Sequence, residues 1–537
     1  MRNNIMNLNY FKACEHIANE LQLRTYLSSK DISKIIRSHS AKFHLSTVPK
    51  NEDILLYLSQ NNPYKDFLLV KPSKTASGIA VIPVMPKPYE CPHGKCIYCP
   101  GGIDYNTPMS YVGTEPVTRI AQSVNFDPYL QVKSKLEQLC RRGHNTSKIE
   151  LVVVGGTFPF MPELYQKNFA KSCYDALNDS RSVTLEESIK TNETAKNRCV
   201  GFTVETKPDY CKKKHVDLML EMGVTKVEIG IQVIDDHIYR LVNRGHTLLD
   251  VKESFKISRD AGYKIVAHMM PGLPGSNVQK DLESFQMLFE NPSFKPDMLK
   301  IYPTLVLKHT GLYELYKKGK YNAYSEDEFI KIILEVKKIV PSWVRIMRIQ
   351  REIETIDIMD GNKKGNIRQI ILKKLKDNHI SCRCIRCREP KLKQNMLRSI
   401  DDTTLKRIDY SASGGKEIFL SIETIDNKIL FGFIRLRIIA NSPSIRKELK
   451  DEHESAREIA VVRELHVYGK LIGVGDKNNT AYYQHKGLGL KLIKEAERIA
   501  KEEFHIKKIS VISAVGTRKY YNKIGYIQNG PYVTKLL

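Results

Sequence analysis

Short apolar runs recur along the middle of the chain, each followed by a stretch with helical spacing. Residues 79–85, 149–156, 199–205, 226–232, 263–270 and 298–302 are apolar across both side-chain parities, the pattern of strands buried on both faces. Between the first two, residues 127–143 have helical periodicity and end in Arg141-Arg142-Gly143, a basic last turn followed by a glycine stop. The alternation predicts an α/β partial barrel over about 76–340. Upstream, Ile17, Leu21, Leu23, Tyr26, Ile32, Ile35 and Ile36 recur near helical spacing, so residues 1–75 read as a small basic helical region. From about 396 the period changes. Residues 416–423 and 429–437 alternate as antiparallel strands, 460–468 is another strand, residues 484–489 open a helix that runs to about Phe504, and 509–513 is a further strand. Residues 396–537 therefore read as a separate α+β domain. The 341–395 segment is a basic linker, within which Pro341–Arg351 fits strand or helix. The expected class is α/β multidomain.

Charge changes the picture next. Lysine and arginine number 85 against 60 acidic residues, a formal net charge of +25. Such an excess favours a polyanionic partner, because phosphate neutralisation releases counterions. RNA is expected rather than DNA. Arg37 and Lys42, in a polar stretch with an aromatic, are candidates for its backbone, as are Arg345, Arg348 and Arg351. A helical cap and a salt-bridged surface are the respective alternatives. No apolar run approaches the ~20 residues that cross a membrane. The first residues lack the apolar core of a signal peptide, so no membrane association and a cytoplasmic location are expected.

Eleven cysteines fall largely into two clusters, which favours metal sites over disulfides. Cys91, Cys96 and Cys99 sit on the loop after the first strand, followed by Gly101 and Gly102. Three clustered thiolates can hold three irons of a [4Fe–4S] cube and leave the fourth open. An open iron can chelate the amine and carboxylate of S-adenosylmethionine. A zinc knuckle is the alternative. Tyr98 suits a place beside the adenine, and Gly155-Gly156 at the next strand end would let backbone approach the ligand. Glu205, Gln232, His268 and Lys300 lie near successive strand ends and point to one mouth. The second cluster, Cys382, Cys384 and Cys387, suits zinc, with His379 or one of Cys140, Cys173, Cys199 and Cys211 as fourth ligand.

Gln484-His-Lys-Gly-Leu-Gly489 lies after a strand and opens a helix, a layout that cradles a pyrophosphate. With Tyr520-Tyr521 and Gly525-Tyr526 downstream, it has the order of a GNAT-type acetyl-CoA-binding domain. Gly487 and Gly489 would form the cradle, and Tyr520 and Tyr521 would flank the cofactor.

The combination resembles the family of Elongator catalytic subunits, in a stand-alone archaeal-like form. The resemblance covers nearly the whole chain through Cys96-Ile-Tyr-Cys-Pro-Gly-Gly102, Val266-Ala-His-Met-Met-Pro271, Val462-Arg-Glu-Leu-His-Val-Tyr-Gly469 and Gly525-Tyr-Ile-Gln-Asn-Gly-Pro-Tyr532. It implies a radical S-adenosylmethionine enzyme acting on the wobble uridine in the anticodon stem-loop of tRNA. The radical takes hydrogen from the methyl of acetyl-CoA, the acetyl radical adds to the uracil ring, and thioester hydrolysis leaves a carboxymethyl group at carbon 5. By motif, acetyl-CoA would contact Glu464, Leu465, His466, Val467, Tyr483, Gln484 and His485. Lys148 matches a family position near the transferred acyl group. Lys148, Glu464 and His466 are the candidate catalytic residues. The cofactors implied are the [4Fe–4S] cluster, S-adenosylmethionine, acetyl-CoA and zinc, and a homodimer is compatible with the reading. The first cysteine gap, of four residues, departs from the three of many radical enzymes. The 469–482 loop is long and is expected to cover the acetyl-CoA site until tRNA displaces it. The competing readings are a protein lysine acetyltransferase with a structural iron–sulfur domain, and a non-catalytic RNA scaffold.

Overall fold

The protein was analysed as a computed structural model, which describes residues 2–59, 62–71, 75, 77–390, 403–441, 445–450, 458–468 and 487–537. The architecture is α/β and multidomain: a helical N-terminal region, a parallel half-barrel, and a C-terminal mixed sheet.

The N-terminal region packs helices Arg2–Leu23 and Ser29–Lys42 through Ile17, Leu21, Ile32, Ile35 and Ile36. Two apolar positions assigned to this pattern differ: Leu23 is 87% and Tyr26 100% exposed. The first helix stops at Leu23, and Tyr26 turns the chain at φ 61° into the Ser28–Asp31 capping box of the second. The region rests on the barrel through Arg142, which pairs with Glu52 at 3.4 Å.

The barrel sheet runs in the order β1 (Ala80–Val84), β2 (Lys148–Val153), β3 (Arg198–Thr206), β4 (Lys226–Gln232), β5 (Lys264–Met269), β6 (Met298–Ile301) and β8 (Arg345–Arg348), every pairing parallel. The segment left open between strand and helix is thus the seventh strand, beyond the expected boundary at 340. A two-stranded ribbon of β7 (Val306–Leu307) and β9 (Ile358–Asp360) flanks it. Helices complete the crossovers. Pro128–Arg141 begins at the Asp127 cap, whose carboxylate accepts from Leu130 N at 2.9 Å. After β3 the chain makes a single 3₁₀ turn, Pro208–Tyr210, and the α-helix starts at Lys213. Because the strands are parallel, their C-terminal ends share one mouth, and the cysteine loop follows β1 there. Their N-terminal ends share the other, where β2, β3, β4, β5 and β8 each begin with a lysine or arginine.

The C-terminal sheet contains β10 (Thr403–Ala412), β11 (Gly415–Thr424), β12 (Leu430–Ala440), β13 (Glu458–Val467), β14 (Lys508–Ile512), β15 (Ile527–Asn529) and β16 (Tyr532–Leu536), in the order 10-11-12-13-14-16-15. The sequence pattern did not reveal β10, β15 or β16. β13 pairs with β12 along most of its length, with a register shift at Arg435/Leu436. Its parallel pairing with β14 is confined to Ala460, Val461 and Val462. The two strands therefore part before Glu464–Val467.

The two halves meet across buried charge. Arg463 donates to Asp297 Oδ1 at 2.6 Å and Glu417 Oε2 at 2.7 Å. Arg437 donates to Glu417 at 2.9 Å and to Asp260 at 3.0 Å, and Arg435 to Trp343 O at 2.7 Å. The side chains of Arg435, Arg437, Arg463, Asp297 and Glu417 are all essentially inaccessible. Burial alone would raise the Asp297 carboxyl, but Arg463 and Arg435 overcome it and hold it well below the usual carboxylate range. Such a network makes a poor sliding surface, since separating the pairs leaves uncompensated charge.

Candidate functional site

The barrel bore and the gap between β13 and β14 form one chamber of about 1460 Å³. Cys91, Cys96 and Cys99 line one end, and Glu464–Val467, Gly487, Gly489 and Tyr520 line the other.

At the upper end, Gly101 takes φ 74°, and a side chain there would meet Tyr111 O at 2.4 Å, so glycine is required. His93 Nε2 lies 3.2 Å from Cys96 Sγ, Arg244 Nη1 reaches the same sulfur at 3.7 Å, and Ser110 Oγ lies 3.6 Å from Cys99 Sγ. Gly155 and Gly156 have φ of 111° and 80°; a Cβ on either would press on Pro108 or Tyr89 at 3.0 and 3.1 Å. Gly155 N donates to Glu205 Oε2 at 3.2 Å, which orients that carboxylate. Gln232 sits at φ 73° and its Oε1 is buried without a hydrogen-bond partner among the described residues, placed to engage a ligand. These features fit an iron–sulfur cluster with S-adenosylmethionine at its open iron. Three thiols and neighbouring N–H donors face the chamber, beside glycine backbone and an uncommitted amide.

Deeper in the bore, Glu228 accepts from His268 Nε2 at 2.7 Å and also from Lys300. Burial would raise the Glu228 carboxyl; Lys300 and His268 reverse this and hold it low. Glu205, Glu228 and His268 place ligand-type atoms within 4.8 Å of one another. Below them Lys226 pairs with Glu150, and Thr203 Oγ1 donates to the same carboxylate at 2.9 Å.

At the lower end, Lys148 lines the chamber, and burial and Arg198 lower its pKa. Glu464 accepts from Arg435 Nε at 2.9 Å, so its carboxylate is already bound to a guanidinium. His466 stacks on Phe433 with centroids 5.7 Å apart, burial keeps it neutral, and its Nε2 has no hydrogen-bond partner among the described residues. Leu465 and Val467 line the same gap. Gly487, at φ 78°, precedes helix Leu488–Arg498. A Cβ on Gly489 would stand 3.0 Å from Tyr520 Oη, and Tyr520 packs edge-on against Tyr521 at 5.2 Å. Tyr483, Gln484, His485 and the 469–482 loop lie outside the described residues.

The arginines divide. Arg345 is bound to Glu389 at 2.7 Å, an ion pair rather than a free phosphate contact. Arg348 and Arg351 line the chamber, with Arg351 over the Tyr111 ring at 5.7 Å. Arg37 and Lys42 are exposed on the second N-terminal helix.

The second cysteine group is of another kind. Cys382, Cys384 and Cys387 bring their sulfurs within 4.8 Å, close enough for one metal ion. Lys337 Nζ reaches Cys382 at 3.6 Å and Cys387 at 3.5 Å. Hydrogen bonds from Cys382 and Cys387 acidify the Cys384 thiol. His379 is exposed, and neither it nor Cys140, Cys173, Cys199 or Cys211 joins the group.

Sequence reasoning passed over His93, Glu150, Lys226, Glu228, Arg244 and Lys264. For Glu150 and Glu228 the signal was present: an acidic residue inside an apolar strand needs a buried partner.

Family models match three segments: the ELP3 N-terminal domain at 10–76, the Radical SAM superfamily at 86–288 and the Radical_SAM C-terminal domain at 296–377. A protein of Methanocaldococcus jannaschii named tRNA uridine(34) acetyltransferase is 44% identical over 533 residues, 97% of each chain. Elongator complex protein 3 of Homo sapiens is 43% identical over 522 residues, 94% of this chain and 93% of that one. The solved structure of archaeal Methanocaldococcus infernus Elp3, with residues 1–46 deleted, superposes with a TM-score of 0.75 at 43% identity. It covers 86% of this chain and 100% of that one.

Proposed function

We propose, since the chain belongs to the Elongator complex protein 3 family, that it modifies the wobble uridine of tRNA, using acetyl-CoA to place a carboxymethyl group on carbon 5. The single chamber that joins the cysteine loop to the β13–β14 gap carries this reading. A lysine acetyltransferase has no use for an acyl site that opens into a barrel bore lined by three cysteines.

Cys91, Cys96 and Cys99 would hold the cluster, which with S-adenosylmethionine supplies a radical able to take hydrogen from a methyl group. Gly155-Gly156 backbone, Glu205 and Gln232 orient the small molecule bound beside it. The edges of Glu464–Val467, freed where β13 and β14 part, receive the extended arm of acetyl-CoA, and its pyrophosphate lies at the start of helix Leu488–Arg498. The acyl end then enters the bore near Lys148. Arg348 and Arg351 at the opposite mouth, with Arg37 and Lys42 on the N-terminal helix, meet the phosphates of the anticodon stem-loop. Zinc at Cys382, Cys384 and Cys387 would fix the joint between barrel and C-terminal sheet.

The test is anaerobic. Iron-reconstituted protein is incubated with dithionite, S-adenosylmethionine, acetyl-CoA and bulk tRNA, and the digested tRNA is searched for carboxymethyluridine by mass spectrometry. Acetylated lysine peptides in place of modified uridine would overturn the reading.

A further inference from the structure

The basic residues that begin the barrel strands are unevenly neutralised. Lys226 pairs with Glu150, and Arg345 with Glu389 at 2.7 Å. Lys264, beside Lys226 in register on β5, lines the chamber, and its ammonium has no hydrogen bond or ion pair among the described residues. Arg198 begins β3, and its Nε is buried without a hydrogen-bond partner among the described residues. Both line the chamber that Glu464–Val467 also line, so cationic groups with no hydrogen-bonded counter-anion among the described residues collect where the acyl end enters the bore. Fixed charge aimed into a site is preorganised for an anion that appears during reaction.

We propose that Lys264 is a catalytic residue for cleavage of the thioester, its ammonium binding the carbonyl oxygen as negative charge develops there. This rests on the proposed use of acetyl-CoA. In the step, the oxygen of water bonds to the carbonyl carbon, and the C–S bond breaks with its electron pair on sulfur. One proton of water ends on the CoA thiol and the other leaves the new carboxylic acid, which ionises. The carboxylate so formed is the anion that Lys264 and Arg198 then face. Lys264 must be protonated to act. Burial lowers it to about 8, and Glu464 across the gap works against the fall. The charged groups around it are Lys226 and Glu150 on the barrel and Glu464 and Arg463 on β13. Activity is therefore full below about pH 8 and falls as pH rises through that value.

The experiment compares wild type, Lys264→Met and Lys264→Arg as full-length reconstituted protein with tRNA. It measures CoA release with and without S-adenosylmethionine, acetyl-CoA affinity by calorimetry, and the pH profile. Lys264→Met should bind acetyl-CoA within a few-fold of wild type and release CoA roughly 10²- to 10³-fold more slowly. Lys264→Arg should recover part of the rate and lose the fall near pH 8. CoA release by Lys264→Met at the wild-type rate would overturn the inference, as would loss of acetyl-CoA binding or a wild type that releases no CoA. CoA release by wild type without any modified uridine would count against the proposed function alone. The comparison with Lys264→Met would still decide the role of Lys264.

Discussion

Two groups of three cysteines sit in this chain, and their surroundings are opposite. Cys91, Cys96 and Cys99 face a large chamber, and their neighbours include His93 of the same loop and Arg244 from beyond β4. Cys382, Cys384 and Cys387 close on one another within 4.8 Å, with Lys337 against two of the sulfurs. The adjoining Ile385 packs with Tyr410, Phe419 and Phe433 of the C-terminal sheet. Thiolates on different irons of a cube must stand further apart than thiolates on one ion. Spacing along the chain gives the number of ligands; the packing around them tells an open group from a closed one.

That contrast breaks most sharply with Cys96→Ala. Modified uridine should fall by at least roughly 10³-fold, as expected when a cofactor that carries the chemistry is lost. The Tm and acetyl-CoA affinity should be unchanged, and a Tm that falls with activity would make the first group structural too. Next in size is the charged joint. Asp297→Asn removes the shared acceptor of Arg463 and Arg435 and should cost about 3–5 kcal/mol in denaturant unfolding. Because the folded Asp297 carboxyl is held low, its contribution is complete above the unfolded pKa of about 3.9 and is lost as pH falls below it. The variant should therefore show a flatter acid limb, and an unchanged limb would place the joint's strength elsewhere. Smaller again is Lys337→Met. It should weaken metal retention at the second group by roughly 10- to 100-fold in a chelator titration, while iron at the first group stays bound. Equal loss at both would erase the distinction.

Much of this was legible in advance, and the failures share a cause. The strands β2 to β6 declared themselves because a parallel strand is apolar on both faces. The cysteine loop declared itself by spacing, and Gly155 and Gly156 by their place at a strand end. β8 stayed ambiguous because Arg345, Arg348 and the nearby Arg351 interrupt the apolar run. They do so because this strand lines the chamber, where Arg345 has Glu389 as its partner. Leu23 and Tyr26 fitted a helical period that the chain leaves at Leu23. Arg345 and Glu464, chosen for phosphate and for catalysis, each proved to be held by an opposite charge more than twenty residues away in sequence. Such partners come from tertiary pairing, which periodicity does not encode. Lys264 was missed for the converse reason: among the described residues no hydrogen bond or ion pair holds it.

The smallest effect sharpens the description of the first cysteine group. Lys207 Nζ lies 2.9 Å from His93 Nδ1, and an ammonium can only donate, so Nδ1 is the acceptor. Burial, then Lys207, lowers His93 to about 3, so the ring is neutral and carries its one hydrogen on Nε2. That N–H is 3.2 Å from Cys96 Sγ and donates to it. Hydrogen bonds to ligating sulfurs stabilise the reduced, more negative state of a cluster and raise its potential. His93→Leu should therefore shift the potential of the reconstituted cluster downward by about tens of millivolts in an anaerobic redox titration followed by electron paramagnetic resonance. Lys207→Met should give a smaller shift in the same direction, because the ring is then free to move its hydrogen to Nδ1. A potential unmoved by either change would mean that His93 turns from Cys96 once iron is bound. Arg244, at 3.7 Å from the same sulfur, would then be its remaining donor.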